Sequence, residues 1–96
     1  MSLALRAARV GDVDAMLALI NGYAREDRML ERSREFLVEH LRDFFVAVQG
    51  DRLLGCCALA VLTADLAEIR SLAVVPEASG RGVGKALVDT CVAEAR

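Results

Sequence analysis

The sequence predicts an α/β (α+β) fold of one small domain, with the element order β-α-α-β-β-β-α. Three observations carry this. Apolar spacing switches along the chain between a period near 3.6 and a period near 2. The 96 residues suffice for one domain and not two, since domains usually run from about 50 to 250 residues. A segment with glycine at 80, 82 and 84 joins a strand to a helix. Apolar residues make up 55% of the chain and charged ones 27%, enough apolar surface to offset the entropy that keeps disordered chains open.

Leu3 to Arg9, with apolar Leu3 and Leu5 and polar Arg6 and Arg9, reads as a first strand. Gly11-Asp12 punctuates it, and Asp12 or Asp14 is placed to cap the helix that follows. Val13, Met16, Leu17, Ile20 and Ala24 recur on one face of that helix. Arg25 to Arg32 is charged and aperiodic, and Ser33 caps a second short helix with Phe36, Leu37, His40 and Leu41 inward. Phe44 to Val48 is aromatic and β-branched, Gly50-Asp51 makes a turn, and Leu53 to Leu62 is apolar, together a β-hairpin. Glu68 to Val75 is a further strand, ended by Pro76, which cannot donate to a ladder. Val83, Ala86, Leu87, Thr90 and Cys91 mark a last amphipathic helix. That helix meets no Gly cap or Pro before Arg96, which predicts a piece of a larger domain.

Composition excludes several classes. Twelve Lys+Arg against fourteen Asp+Glu give a formal charge of −2, with no clustered basic face for nucleic acid. The longest charge-free apolar stretch, Leu53 to Ala64, is well short of the ~20 residues that span a bilayer. The N-terminus lacks the basic region and long apolar run of a secretory signal. Three cysteines argue against a disulfide framework, and adjacent Cys56 and Cys57 should point to opposite faces of their strand. They read as buried thiols in a reducing cytoplasm. His40 is the single histidine, so no metal-ligand spacing exists and no metal is expected.

The stretch richest in chemistry is Val74-Val75-Pro76-Glu77-Ala78-Ser79-Gly80-Arg81-Gly82-Val83-Gly84-Lys85-Ala86. At a helix N-terminus the first N–H groups lack intrahelical partners and sit at the positive end of the dipole. Glycines let that backbone take positive φ and approach a bulky anion, for which a diphosphate is the natural choice. Arg81 and Lys85 would add charge. A Walker A loop, Gly-x-x-x-x-Gly-Lys-Ser/Thr, fails here at Ser79 and Ala86. A dinucleotide fingerprint starting at Gly80 fails at Lys85.

Leu72-Ala73-Val74-Val75-Pro76-Glu77 followed by Gly80-Arg81-Gly82-Val83-Gly84-Lys85-Ala86-Leu87 resembles the acyl-CoA motif of the GCN5-related N-acetyltransferases, Gln/Arg-x-x-Gly-x-Gly/Ala. The departure is Ser79, where the family usually has Gln or Arg. The resemblance covers residues 1–96 as a single domain with a mixed, mainly antiparallel sheet, ending about two-thirds through the family's domain. It implies acetyl-CoA as cofactor. Backbone around Leu72, Ala73 and Val74 would hold the pantetheine arm, and Gly80, Arg81, Gly82, Val83, Gly84 and Lys85 the diphosphate.

Acetyl transfer to an amine needs a proton acceptor, oxyanion stabilisation and a protonated leaving thiol. Strand alternation places Glu68, Arg70, Leu72 and Val74 on one face and Ile69, Ser71, Ala73 and Val75 on the other. Ala67-Glu68-Ile69 resembles the position where the histone acetyltransferase branch of the family carries its general-base glutamate, which makes Glu68 the catalytic candidate, acting directly or through water. Residues 19–25, 29–33 and 65–74 resemble the acetyltransferase domain of N-acetylglutamate synthases, which acetylate the α-amine of glutamate in arginine biosynthesis. A dicarboxylate acceptor needs guanidinium forks, and Arg32 and Arg70 are the candidates. Arg25 and Arg28 read as solvated charges, and Tyr23 and His40 as packing residues. Two alternatives stand beside this reading. One is acetylation of a protein N-terminus or another amine. The other is a non-catalytic CoA-binding or interaction fragment, inactive or weak alone, that self-associates as a homodimer or by sharing strands across an uncovered edge.

Overall fold

Alternation in residues 44–61 sends side chains to both faces of a hairpin, and the rest of the chain packs on those two faces. The computed structural model describes residues 3–24, 32–61, 63–64, 66–78 and 80–95. Its elements are β1 (Ala4–Ala7), α1 (Val13–Ala24), α2 (Arg34–Glu39), β2 (Phe44–Gln49), β3 (Arg52–Val61), β4 (Ala67–Val74) and α3 (Val83–Ala95). The four strands form one sheet in the order β1-β2-β3-β4, and all three pairings are antiparallel. Gln49 pairs with Arg52 across a two-residue turn whose first residue, Gly50, has φ +61°, a conformation glycine adopts without strain.

Helices α1 and α2 cover one face and α3 the other. Phe44, Val46, Cys56, Ala58 and Ala73 pack with Val13, Met16, Ile20 and Leu37. Ala47, Leu54 and Cys57 pack with Val83, Leu87 and Cys91. Ser33 caps α2, its Oγ accepting from the Phe36 N–H at 3.0 Å. His40 does not lie on the inner face of α2; it ends the helix as its C-cap.

Neither aspartate caps α1. Asp12 closes a 3-10 turn over Val10–Asp12, accepts from the Arg9 N–H at 2.8 Å, and takes both arms of Arg6 at 2.7 and 3.1 Å. The Arg6 fork holds its carboxyl below the usual carboxylate range. Asp14 is ion-paired with Arg34, tying α1 to α2.

Two β-bulges break the simple alternation. Between Ala47↔Gly55 and Val48↔Leu53, β3 carries one residue more than β2. Between Cys56↔Ala73 and Ala58↔Arg70, β4 carries one residue more than β3, and Ser71 there has φ +53°. The second bulge corrects the alternation expected for β4. Ile69 and Val74 pack toward α3, whereas Ala73 packs toward α1. An unbroken strand would put Ile69 and Ala73 on the same face.

The hairpin and β4 meet α3 at Gly55. A Cβ there would lie 2.9 Å from the Ala73 carbonyl oxygen and 3.0 Å from Leu87 Cδ1. Gly55→Ala should therefore destabilise the fold by about 1–3 kcal/mol through overpacking, read as a lowered urea midpoint with unchanged m-value. An unaltered midpoint would show that strand and helix separate at no cost.

All three cysteines are free and buried. Cys56 faces α1 and Cys57 faces α3, as their adjacency requires. Cys57 Sγ lies 3.5 Å from Cys91 Sγ. Burial pushes the Cys56 thiol up to about 12, and it raises Cys57 and Cys91 as well. At pH 8.5, where about half of a free thiol is ionised, these stay protonated. A thiol reagent should label the native protein only at its opening rate and all three cysteines at once in denaturant. Rapid native labelling, followed by mass spectrometry, would contradict this burial.

Candidate active site

Strand β4 leads directly into a cup of main-chain amides. The Val75 N–H still pairs with the Leu54 carbonyl at 2.8 Å, and Pro76 then ends the ladder. A 3-10 turn follows over Pro76–Ala78. Gly80 and Gly82 have φ +84° and +83°, and a Cβ on either would meet no atom within 4 Å. Glycine serves these two positions by its conformational freedom. The Ala86 N–H makes the first bond of α3, to the Gly82 carbonyl at 3.0 Å. The N–H groups of Val83, Gly84 and Lys85 precede that bond, and no described residue accepts from them. Beside them lies a concavity of about 310 Å³ lined by Val74, Ala78, Gly80, Gly82, Gly84 and Lys85.

The cup is narrower than the sequence suggests. The Arg81 N–H is turned back to the Ala78 carbonyl at 3.2 Å, so it is not one of the open amides. The exposed Arg81 side chain lines a neighbouring cleft with Arg52 and Glu77. Lys85 Nζ donates to Asp89 Oδ2 at 2.8 Å, and this bond raises its pKa. Ser79 lies outside the described residues.

Upstream on β4 a second cavity, about 70 Å³, opens on the α2 side of the sheet. It brings together Arg32 and Arg70, which stand 38 positions apart in the chain, with Phe36, His40, Asp43 and Ser71. The Arg32 guanidinium carbon sits 4.3 Å from the centroid of the Phe36 ring, a cation–π contact. The Phe36 and His40 rings are 4.4 Å apart, and His40 Nδ1 lies 3.7 Å from Asp43 Oδ2. Arg32 Nε is buried with no hydrogen-bond partner among the described residues. A buried unpaired donor costs on the order of 1–3 kcal/mol, and more when charged, until an acceptor meets it.

Arg70 Nε donates to Glu68 Oε1 at 3.1 Å, with the two side chains about half exposed, so Glu68 stands at the rim, tied to a residue that lines the cavity. Leu72 is exposed on β4, whereas Ala73 is buried in the core. Arg25, Arg28 and the Tyr23 side chain lie outside the described residues.

The sequence reading missed Phe36, His40 and Asp43 as pocket residues. A partial signal existed, since Phe36 and His40 stand four apart, the spacing that brings side chains of successive helix turns together. Ser71 carried none, because nothing in its type announces positive φ.

A strand–glycine loop–helix cup and a cavity holding two guanidinium groups thus lie along one strand. The sequence profile of the acetyltransferase (GNAT) family matches residues 12–96, and the chain belongs to that family. It is 49% identical over 85 residues to an uncharacterized N-acetyltransferase of Chlorobaculum tepidum, covering 88% of this chain and 55% of that protein. It is 41% identical over 95 residues to an amino-acid acetyltransferase of Mycobacterium tuberculosis, covering 96% and 54%. The N-acetylglutamate synthase of Neisseria gonorrhoeae, crystallised with coenzyme A and N-acetyl-glutamate, matches with a TM-score of 0.94 at 35% identity. That match covers 100% of this chain and 23% of that one. The chain thus spans about half the length of the first two relatives and under a quarter of the synthase. The expected GNAT fold is borne out; the described sheet is antiparallel throughout.

Inorganic diphosphate titrated into the protein should shift the amide resonances of Val83, Gly84 and Lys85 and leave those of the last turn of α3 in place. Equal shifts along the whole helix would show that the cup has no preference for the anion.

Proposed function

We propose that the chain carries the cofactor and acceptor sites of an acetyl-CoA-dependent N-acetyltransferase acting on the α-amine of a small amino acid, with glutamate as the acceptor. One observation carries the reading: Arg32 and Arg70 line a single cavity beside the strand that ends at the amide cup. From Arg70 to Val74 the bulged strand advances about three regular steps, about 10 Å, so a ligand anchored by its diphosphate at the cup would reach the cavity along β4. The names of the relatives support an amino-acid acceptor, and the coenzyme A in the synthase crystal supports the cofactor.

In this reading acetyl-CoA supplies the activated acyl group as a thioester. The amides of Val83, Gly84 and Lys85 bind its diphosphate at the positive end of α3. Arg32 and Arg70 bind the acceptor's carboxylates and aim its amine at β4. Glu68 takes the amine's proton through a bridging water, held in place by its bond to Arg70. The product fits the first acetylation of an arginine-forming route. Three free thiols suit a reducing cytoplasm, and among the described residues no helix is long and apolar enough to cross a membrane.

A second reading keeps coenzyme binding and drops catalysis. Strand β4 is the outermost of the described sheet, and Leu66 and Leu72 are exposed beside it, a surface on which a second copy would add a strand. Thiol release from acetyl-CoA against glutamate, glutamine and a peptide amine separates the readings. The first requires turnover with glutamate, loss of acetyl-CoA binding in Gly82→Glu, and a rise of about 10- to 100-fold in glutamate KM in Arg32→Met, from loss of a charge-assisted bond. Binding of acetyl-CoA without thiol release would favour the second. Preference for the peptide amine would replace the acceptor.

A further inference from the structure

We propose that Asn21, on α1, is a positioning residue that sets the acceptor-binding guanidinium of Arg32; this rests on the reading that Arg32 binds the acceptor. Its side-chain amide spans both main-chain groups of Arg32. Oδ1 accepts from the Arg32 N–H at 2.9 Å, and Nδ2 donates to the Arg32 carbonyl at 3.0 Å. One side chain thus acts on residue 32 as a neighbouring strand would, fixing its position and its rotation about the chain.

The fork demands asparagine chemistry. A carboxylate cannot donate to the carbonyl, an aliphatic residue makes neither bond, and glutamine is one methylene longer. Asparagine is otherwise a poor residue for a helix interior, because its amide competes for backbone groups. Here that competition is directed to a segment outside the helix. The anchor is firm, because the preceding residue, Ile20, is wholly buried under the sheet. Asn21 does not line the cavity, so it acts on a ligand there only through Arg32.

Arg32 is held from the other side as well. Ser33, the next residue, caps α2, and the ring of Phe36 lies under the guanidinium. A long cation loses much rotamer freedom when it binds a ligand, and fixing its backbone and stacking its tip removes part of that loss beforehand. Asn21 is the link that ties this arrangement to the core.

A double-mutant cycle tests the proposal in the protein with acetyl-CoA and glutamate. Asn21→Ala should raise glutamate KM about tenfold, from a lost pair of neutral hydrogen bonds, while kcat and the acetyl-CoA Kd stay near wild type. In an Arg32→Met background the same substitution should add nothing, since its effect passes through Arg32. Additive losses, or an unchanged glutamate KM in Asn21→Ala, would overturn it. If Asn21→Ala does not fold, Asn21→Asp, which keeps the acceptor and loses the donor, carries the same comparison. Hydrogen exchange at the Arg32 amide reads the clamp without any ligand: protected in the wild type, exposed to exchange in Asn21→Ala. If wild type ignores glutamate while that amide is protected, the acceptor reading fails and the clamp stands. An unprotected Arg32 amide in wild type removes the clamp itself.

Discussion

Arg70 and Ala73 turn to the same face of the sheet although three positions separate them, and the site depends on that reversal. The extra residue in β4, with Ser71 at positive φ, changes which face the strand presents partway along its length. Before the bulge, Arg70 looks toward α2 and its cavity; beyond it, Val74 looks toward α3 and the amide cup. A regular strand would leave Val74 on the α2 face, away from the cup it lines. A non-glycine residue in this backbone region costs on the order of 1–3 kcal/mol, and surrounding structure must over-determine it. Here the pairing of Cys56 with Ala73 and Ala58 with Arg70 closes on either side of it.

Charge is distributed in keeping with this geometry. At the cup the positive potential comes from the ends of peptide units, while the nearest ammonium, Lys85, is engaged by Asp89. At the cavity it comes from guanidinium groups, one bonded to Glu68 and the other with a buried donor that has no partner among the described residues. The two halves thus carry positive potential by different means, fixed dipoles at one end and side-chain cations at the other.

Much of the fold was legible because the hydrophobic period is strong. Helix α1 begins and ends at Val13 and Ala24, as the spacing indicates, and Ser33 caps α2 through its hydroxyl. The divergence of Cys56 and Cys57 followed from strand geometry alone. The glycine loop was legible because positive φ at two positions demands a residue type that can be read. Arg32 and Arg70 could be paired only through likeness to a known family, since nothing local joins residues so far apart. The bulge was invisible. An extra residue in a strand is a matter of register between chains, and Ser71 looks like any other strand residue. For the same reason the capping role expected of Asp12 and Asp14 went elsewhere, to arginines that only the folded chain brings near.

The contact between the sulfurs of Cys57 and Cys91 has a bearing on where the amide cup sits. Helix α3 bears the amide cup at its start and this contact about two turns further along, where the soft, polarizable thiols share with Val83 and Leu87 the seating of the helix on the sheet. A stiff helix seated along one face carries a displacement at one seat toward its ends. A change of volume at this pair of sulfurs would therefore be felt at the start of the helix, where the open amides lie.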